Sequence, residues 1–366
     1  MSSEISINNS VSLKNLTTGY FGDKAFALPG VSEKAVTKSF SSSIAHGELV
    51  YIIGPNGCGK TTLLKTISGL IPPLSGNIYI NGQSIKEMSR DLAARKISVV
   101  LTKNPDPGMF TAFDVVSMGR TPYTDWKHTL KPDDMEIINQ SMALTGADLF
   151  KETVFSRLSD GEKQKVIIAR ALAQDTDIMC LDEPASFLDL PSKAELSGLL
   201  LKIKRRKGKT LFVTSHDLDS ALKFADTLWT IDRNGEISAG VPEDLALDRT
   251  VGSVFSSKEI FFNISTGEFE YLALNNSRAD SGNTALSVNL SHSDGGKSSS
   301  ADHELSHAVY WTRRSLLRNG INVNKSSRGI KITIREKESS RYEWAAAGCV
   351  FDSIGNLVSW LKKQDF

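Results

Sequence analysis

The chain has 366 residues, more than one ordinary core accommodates, which predicts two domains with a large α/β unit as the major part. Its 43 Lys and Arg stand against 42 Asp and Glu, a formal net charge of +1, and this balance makes no electrostatic case for a nucleic-acid partner. Cys58, Cys180 and Cys349 have neither the pairing of a disulfide framework nor zinc spacing and fit a reducing compartment. The start Met1-Ser2-Ser3-Glu4 lacks a basic stretch leading into an apolar core, and no apolar run approaches the ~20 residues needed to span a bilayer. A soluble, cytoplasmic chain is expected.

Alternating apolar segments and helical patterns run to about Leu247 and predict an α/β domain. The predicted core strands are Glu48–Ile53, Ile97–Leu101, Ile178–Asp182, Thr210–Thr214 and Leu228–Asp232. Their short apolar runs suit buried, mostly parallel pairing. Ser141–Leu149, Gly161–Ala173 and Lys193–Lys204 carry helical spacing. A Gly- and Ser-rich stretch at Asn275–Ser300 reads as a linker. Beyond it a small α+β unit is predicted, with a helix near Leu305–Arg318, strands near Gly329–Glu336 and Tyr342–Cys349, and a closing helix at Ser353–Lys363. The expected organisation is thus a nucleotide-binding domain over 1–262, a connecting segment over 263–302 and an accessory domain over 303–366.

Gly54-Pro55-Asn56-Gly57-Cys58-Gly59-Lys60-Thr61-Thr62 lies between the apolar run Leu49–Ile53 and a helical pattern, and so at a strand-to-helix turn. Glycines there bare backbone N–H groups, the helix N-terminus adds positive potential, Lys60 reaches β- and γ-phosphates, and Thr61 offers a hydroxyl to Mg²⁺. A thiol at such a terminus, Cys58, is expected to have a lowered pKa. In Ile178-Met179-Cys180-Leu181-Asp182-Glu183-Pro184 a buried strand ends in two carboxylates. That position lies at the carboxyl edge of an α/β sheet, where ligands bind; Asp182 is suited to holding Mg²⁺ and Glu183 to polarising an attacking water.

Leu158-Ser159-Asp160-Gly161-Glu162-Lys163-Gln164, between these motifs, resembles the signature segment of ATP-binding cassette proteins. Ala185-Ser186-Phe187-Leu188-Asp189 resembles their D-loop, Thr214-Ser215-His216-Asp217 their switch-histidine region, and Tyr20 sits where an aromatic ring meets adenine. The resemblance covers roughly residues 10–250 and implies a P-loop ATPase domain with a mixed sheet and a helical signature subdomain. It further implies a head-to-tail homodimer with ATP between the phosphate loop of one copy and Ser159 and Gly161 of the other, and His216 at the γ-phosphate. Val115–Tyr123 and the Asp160 variant of the signature resemble the importer branch for ferric siderophores, haem or vitamin B12. For that branch the partners are a polytopic permease, met by the region Lys103–Asp125, and an extracytoplasmic binding protein, with the ATPase peripheral on the inner face of the membrane. A lone soluble cassette is the alternative from another class, and a regulatory accessory domain is compatible with the transporter.

Two positions depart from the family pattern. Thr102 stands where a glutamine usually contacts Mg²⁺ and the attacking water, and its hydroxyl is expected to reach the metal only through a bridging water. Asp160 replaces a glycine, and its carboxylate would repel a γ-phosphate unless it points away. His303-Glu304-Leu305-Ser306-His307 matches a zinc-protease spacing, yet it follows a Ser-rich linker and has no obvious third ligand, so it is read as a solvated helix. The basic run Lys202–Lys209 is read as a helix C-terminus complementing the macrodipole.

Overall fold

The computed structural model describes residues 9–21, 34–102, 107–127, 129–255, 260–264, 267–271, 300–319, 332–337 and 341–363. The predicted linker at 275–300 lies outside them save Ser300, as do residues 103–106, His128 and the predicted strand start at 329–331. The chain divides into two compact units, one of residues 1–220 and 224–237, the other of residues 221–223 and 238–366.

The first unit opens with β1 (Asn9–Thr17), the short β2 (Gly19–Tyr20) and β3 (Lys34–Ala35), and β4 (Phe40–Ala45). β5 (Leu49–Ile53) is buried at every residue, as a strand covered on both faces must be. It runs through the phosphate loop into α1 (Lys60–Ile67). β6 (Ser75–Ile80) and β7 (Gln83–Ser84) complete an antiparallel sheet of order β4-β1-β6-β7. No such sheet was anticipated from the residues. Its strands alternate apolar and polar positions over few residues, and the buried Val11, Leu13, Ile44, Ile78 and Ile80 come from segments far apart in sequence.

Next come α2 (Arg90–Lys96), β8 (Ile97–Val100), α3 (Ala112–Ser117), α4 (Pro132–Thr145), α5 (Asp160–Ala173), β9 (Ile178–Asp182), α6 (Leu190–Lys207), β10 (Thr210–Ser215), α7 (Leu218–Phe224) and β11 (Thr227–Ile231). The five predicted core strands lie side by side in the order β11-β5-β10-β9-β8, and every neighbouring pair is parallel. α4 starts nine residues before the predicted Ser141. Pro132 at its first turn and the side chain of Asp134, which accepts the Lys131 N–H at 2.9 Å, set that start. Between α3 and α5 the guanidinium of buried Arg120 donates to Asp134 at 2.8 Å and to the Ala173 carbonyl at 2.9 Å. Burial works to raise the Asp134 pKa, but the Lys131 N–H and Arg120 outweigh it and hold the carboxyl below its usual range.

The second unit contains α8 (Pro242–Leu247), α9 (Thr250–Phe255), the hairpin β13 (Ile260–Asn263) and β14 (Glu268–Tyr271), α10 (Ser300–Arg318), and the antiparallel sheet of β15 (Ile332–Lys337), β16 (Arg341–Ala346) and β17 (Cys349–Phe351); β12 (Ile237–Gly240) spans the boundary between the units. α11 (Ile354–Lys362) closes the described chain. A single strand was expected over Tyr342–Cys349, whereas the chain turns at Ala347 and Gly348, both at positive φ (49° and 83°), and pairs back on itself. α8 anchors this unit: Glu243, fully buried, takes two hydrogen bonds from Arg318 at 3.0 and 2.8 Å. Its neighbour Asp244 accepts the N–H groups of Ile354 and Gly355 at the start of α11, at 2.9 and 3.2 Å. The helix α10 carries the His303–His307 spacing, although the side chains of 303–306 lie outside the described residues. Among the described residues no helix is long and apolar enough to cross a membrane.

Candidate nucleotide site

The phosphate loop needs its glycines for space as well as for dihedral freedom. A Cβ at Gly54 would lie 2.3 Å from the Ile231 carbonyl oxygen, and one at Gly59, where φ is 109°, would lie 2.3 Å from Val36 Cγ1. The loop borders a cavity of about 500 Å³ lined by Tyr20, Asn56, Gly57, Cys58, Gly59, Lys60, Thr61, Thr62 and Glu183, with Lys34 and Arg233 at its edge. Lys60, buried, folds over the loop and donates to the carbonyls of Gly54 and Pro55 at 2.9 and 3.2 Å. Tyr20, half exposed, shares a 3.0 Å hydrogen bond with the Thr62 hydroxyl.

The positive helix end does not lower the Cys58 thiol as expected. Burial pushes its pKa up and outweighs the opposing charge of Lys60. The thiol belongs to the same buried hydrophobic cluster as Val50, Ile52 and Trp229.

A knot of hydroxyls surrounds Asp182, itself buried. Thr61 Oγ1 and Thr214 Oγ1 each donate to Asp182 Oδ1 at 2.8 Å, and Thr102 Oγ1 donates to Asp182 Oδ2 at 2.9 Å and to the Asp182 carbonyl at 3.0 Å. A Thr hydroxyl beside an ionised carboxylate at the mouth of a phosphate cradle is a hard oxygen donor set, and it fits Mg²⁺, which takes few protein ligands and completes its shell with water and phosphate. Glu183 follows in the left-handed region at φ 47°, a strained geometry for a side chain with a Cβ. Its N–H is caught by Thr214 Oγ1 at 2.8 Å, and its carboxylate lies 3.9 Å from Lys60 Nζ and 3.9 Å from His216 Nδ1. Thr102, Asp182 and Glu183 also border a second cavity of about 430 Å³, whose far wall is Asp160, Lys163 and Gln164 of α5.

Ser159, Gly161 and Asp189 stand apart from the phosphate-loop cavity. Ser159 caps α5: its hydroxyl and N–H both reach a Glu162 carboxylate oxygen at 2.8 Å, and these bonds hold Glu162 below the usual carboxylate range. With Gly161 it lines a third cavity, of about 610 Å³, against Leu188, Ser192 and Glu195. Asp189 caps α6 by accepting the Ser192 N–H at 3.0 Å. One chain therefore assembles Tyr20, residues 54–62, Thr102, Asp182, Glu183 and His216 into one region and leaves the other three facing elsewhere.

Thr214 was missed as a site residue, although it precedes His216 by two positions. A hydroxyl in an otherwise apolar strand was the available signal. Its role comes from the parallel register, which pairs Thr214 with Asp182 across β10 and β9. Lys34 and Arg233 carry no motif that would have marked them.

A parallel sheet with a phosphate loop at the end of one strand and paired carboxylates at the end of another defines a P-loop nucleoside triphosphatase. Within that class, residues 37–186 match the ABC transporter family and residues 304–362 match the iron ABC transporter C-terminal domain. The chain is 40% identical over 241 residues to an uncharacterised ABC transporter ATP-binding protein of Methanocaldococcus jannaschii, a match covering 66% of this chain and 83% of that one. It is 32% identical over 249 residues to the iron(3+)-hydroxamate import ATP-binding protein of Bacillus subtilis, covering 68% and 88% respectively. Among solved structures, a dimeric bacterial ABC transporter cassette superposes with a TM-score of 0.55 at 26% identity, over 63% of this chain and 98% of the cassette. The chain belongs to the ABC transporter family and is an ATP-binding, ATP-hydrolysing subunit of it.

Proposed function

We propose that this chain is the motor of an importer for an iron chelate, working as a homodimer beneath a separate polytopic permease. The observation that carries the iron reading is the joining, in one chain, of a cassette to a segment that matches the iron ABC transporter C-terminal domain. The similarity to an iron(3+)-hydroxamate import protein points the same way. Of the expected cargoes, ferric siderophore fits best.

In this reading the loop N–H groups and Lys60 hold the phosphates, and Tyr20 packs against the base. Thr61 and Asp182 hold Mg²⁺, which when bound neutralises charge on the β- and γ-phosphate oxygens. Glu183 accepts a proton from the attacking water, and His216 meets the γ-phosphate. Ser159 and Gly161, turned away from their own phosphate loop, complete the site of a second copy, with Asp189 at the seam between copies. That arrangement supports a head-to-tail dimer in which closure and hydrolysis alternate. Apolar side chains left in solvent around the segment after Thr102, notably Met109 at 80% exposure and Trp126 at 84%, support a permease-facing surface there. Such docking would keep the chain on the inner face of the membrane, with an extracytoplasmic binding protein feeding the permease.

The test is affinity isolation of the tagged Glu183→Gln protein with Mg-ATP from gently solubilised membranes of its own host. Recovery of a polytopic permease is the expected result, and its genetic neighbours would name the cargo. Recovery of soluble partners alone, with the protein folded and ATP-bound, overturns the transporter reading in favour of a lone soluble cassette.

A further inference from the structure

Asp182 is held from two sides. On Oδ1 it receives Thr61 from the phosphate loop and Thr214 from β10; on Oδ2 it receives Thr102, which follows β8 by two residues. The third contact differs in kind, because the single Thr102 proton is shared between the carboxylate and the main-chain carbonyl of the same aspartate, at 2.9 and 3.0 Å. A donor that spans both groups fixes the side chain of Asp182 relative to its own backbone. Threonine suits this task. Its β-branched side chain has few rotamers, so little freedom is lost when the hydroxyl is committed, and a hydrogen bond to an ionised acceptor is stronger than one between neutral groups. The contact is direct, so the bridging-water route expected from residue type alone is not needed for Thr102 to influence the metal side of the site.

We propose that Thr102 is a positioning residue for the metal-side carboxylate: its hydroxyl sets the orientation of Asp182. The role is that of the outer partners that orient metal-holding carboxylates elsewhere, whose removal typically weakens metal affinity ~10–100-fold. Thr102 thereby takes over, from one shell further out, a position at which the family pattern places a metal-contacting glutamine. The inference rests on the reading of Asp182 as the Mg²⁺-side carboxylate.

The experiment is equilibrium binding of trinitrophenyl-ATP to the full-length protein, first in EDTA and then across a Mg²⁺ titration, for the wild type, Thr102→Val, Thr102→Ser and Asp182→Asn. Thr102→Val is expected to bind the metal-free nucleotide as the wild type does and to need ~10–100-fold more Mg²⁺ for the metal-dependent gain, while Thr102→Ser returns the titration to the wild-type range. An unchanged Mg²⁺ midpoint in Thr102→Val, or an equal loss of binding in EDTA, overturns the proposal. If Asp182→Asn shifts the midpoint and Thr102→Val does not, the Thr102 role alone falls. If Asp182→Asn also leaves it unmoved, the metal reading of Asp182 falls with it. Thermal unfolding checks each variant, and Thr102→Ala, which removes the hydroxyl without adding apolar bulk, replaces Thr102→Val should that variant not fold.

Discussion

Thr214→Val removes a hydroxyl at nearly constant volume from a fully buried position that joins the carboxylate of Asp182 to the main chain of Glu183. The wild-type side chain donates to Asp182 Oδ1 at 2.8 Å and accepts the Glu183 N–H at 2.8 Å. Losing a donor to an ionised acceptor costs about 1.5–3 kcal/mol, and leaving a buried N–H unpaired costs about 1–3 kcal/mol. The Glu183 end borders the cavity of about 430 Å³, from which water can reach part of what is lost. A destabilisation of about 2–4 kcal/mol is therefore expected. Urea unfolding followed by tryptophan fluorescence reports it, because the core Trp229 packs against Phe212 of the same strand as Thr214, with ring centroids 5.6 Å apart. Turnover should fall as well, since the Thr214 bond helps hold Glu183 at its strained φ of 47°. Thr214→Ser should recover most of both. A Thr214→Val protein that unfolds within about 0.5 kcal/mol of the wild type and hydrolyses ATP normally would refute the hub role of this hydroxyl.

Two further outcomes follow from the same geometry. Glu183→Gln keeps the main-chain N–H bonded to Thr214 but loses the carboxylate facing Lys60 and His216, so ATP binding should persist while kcat drops ~10²–10⁴-fold, measured by steady-state phosphate release; near-normal hydrolysis would sink the assignment. In the second unit, burial pushes Asp244 up to about 6, against the lowering effect of the Ile354 and Gly355 N–H groups and with help from Glu243 and Asp248. The folded state then binds this proton more tightly than the unfolded chain does. The stability contributed is fully present below the ordinary carboxylate pKa and is lost as pH rises towards and through about 6. Replacement by Asn should remove that slope from thermal melts of the second unit taken between pH 4 and pH 7, and an unchanged slope would exclude Asp244 as its source.

Much of the nucleotide site was legible because its chemistry is local. The phosphate loop is one continuous run from a buried strand into a helix, so the residue types at 54–62 carry their own geometry, and the five core strands announce themselves as short apolar runs because both faces of that sheet are covered. Ser159 and Asp189 were picked out by resemblance to the signature segment and the D-loop, and the structure shows each capping a helix within three residues of itself. The antiparallel sheet escaped notice because one-sided burial in short strands leaves a weak pattern, and the early start of α4 was overlooked although Pro132, Asp133 and Asp134 mark it.

Other features belong to the tertiary structure alone. Residue type suggested that Cys58 would be acidified by a helix end, but packing around it reverses the sign. Thr102 was expected to reach the metal only through a bridging water, and only the placement of β8 beside β9 brings its hydroxyl onto Asp182. Register does the same for Thr214, and the pairing of Glu243 with Arg318 joins residues 75 apart. The sequence by itself marked the groups suited to binding phosphate, holding a metal and polarising water, because such suitability belongs to residue types at fixed short spacings. Which hydroxyls reach Asp182, and what surrounds Cys58 and Asp244, depended on strands and helices distant along the chain coming to lie within hydrogen-bond range.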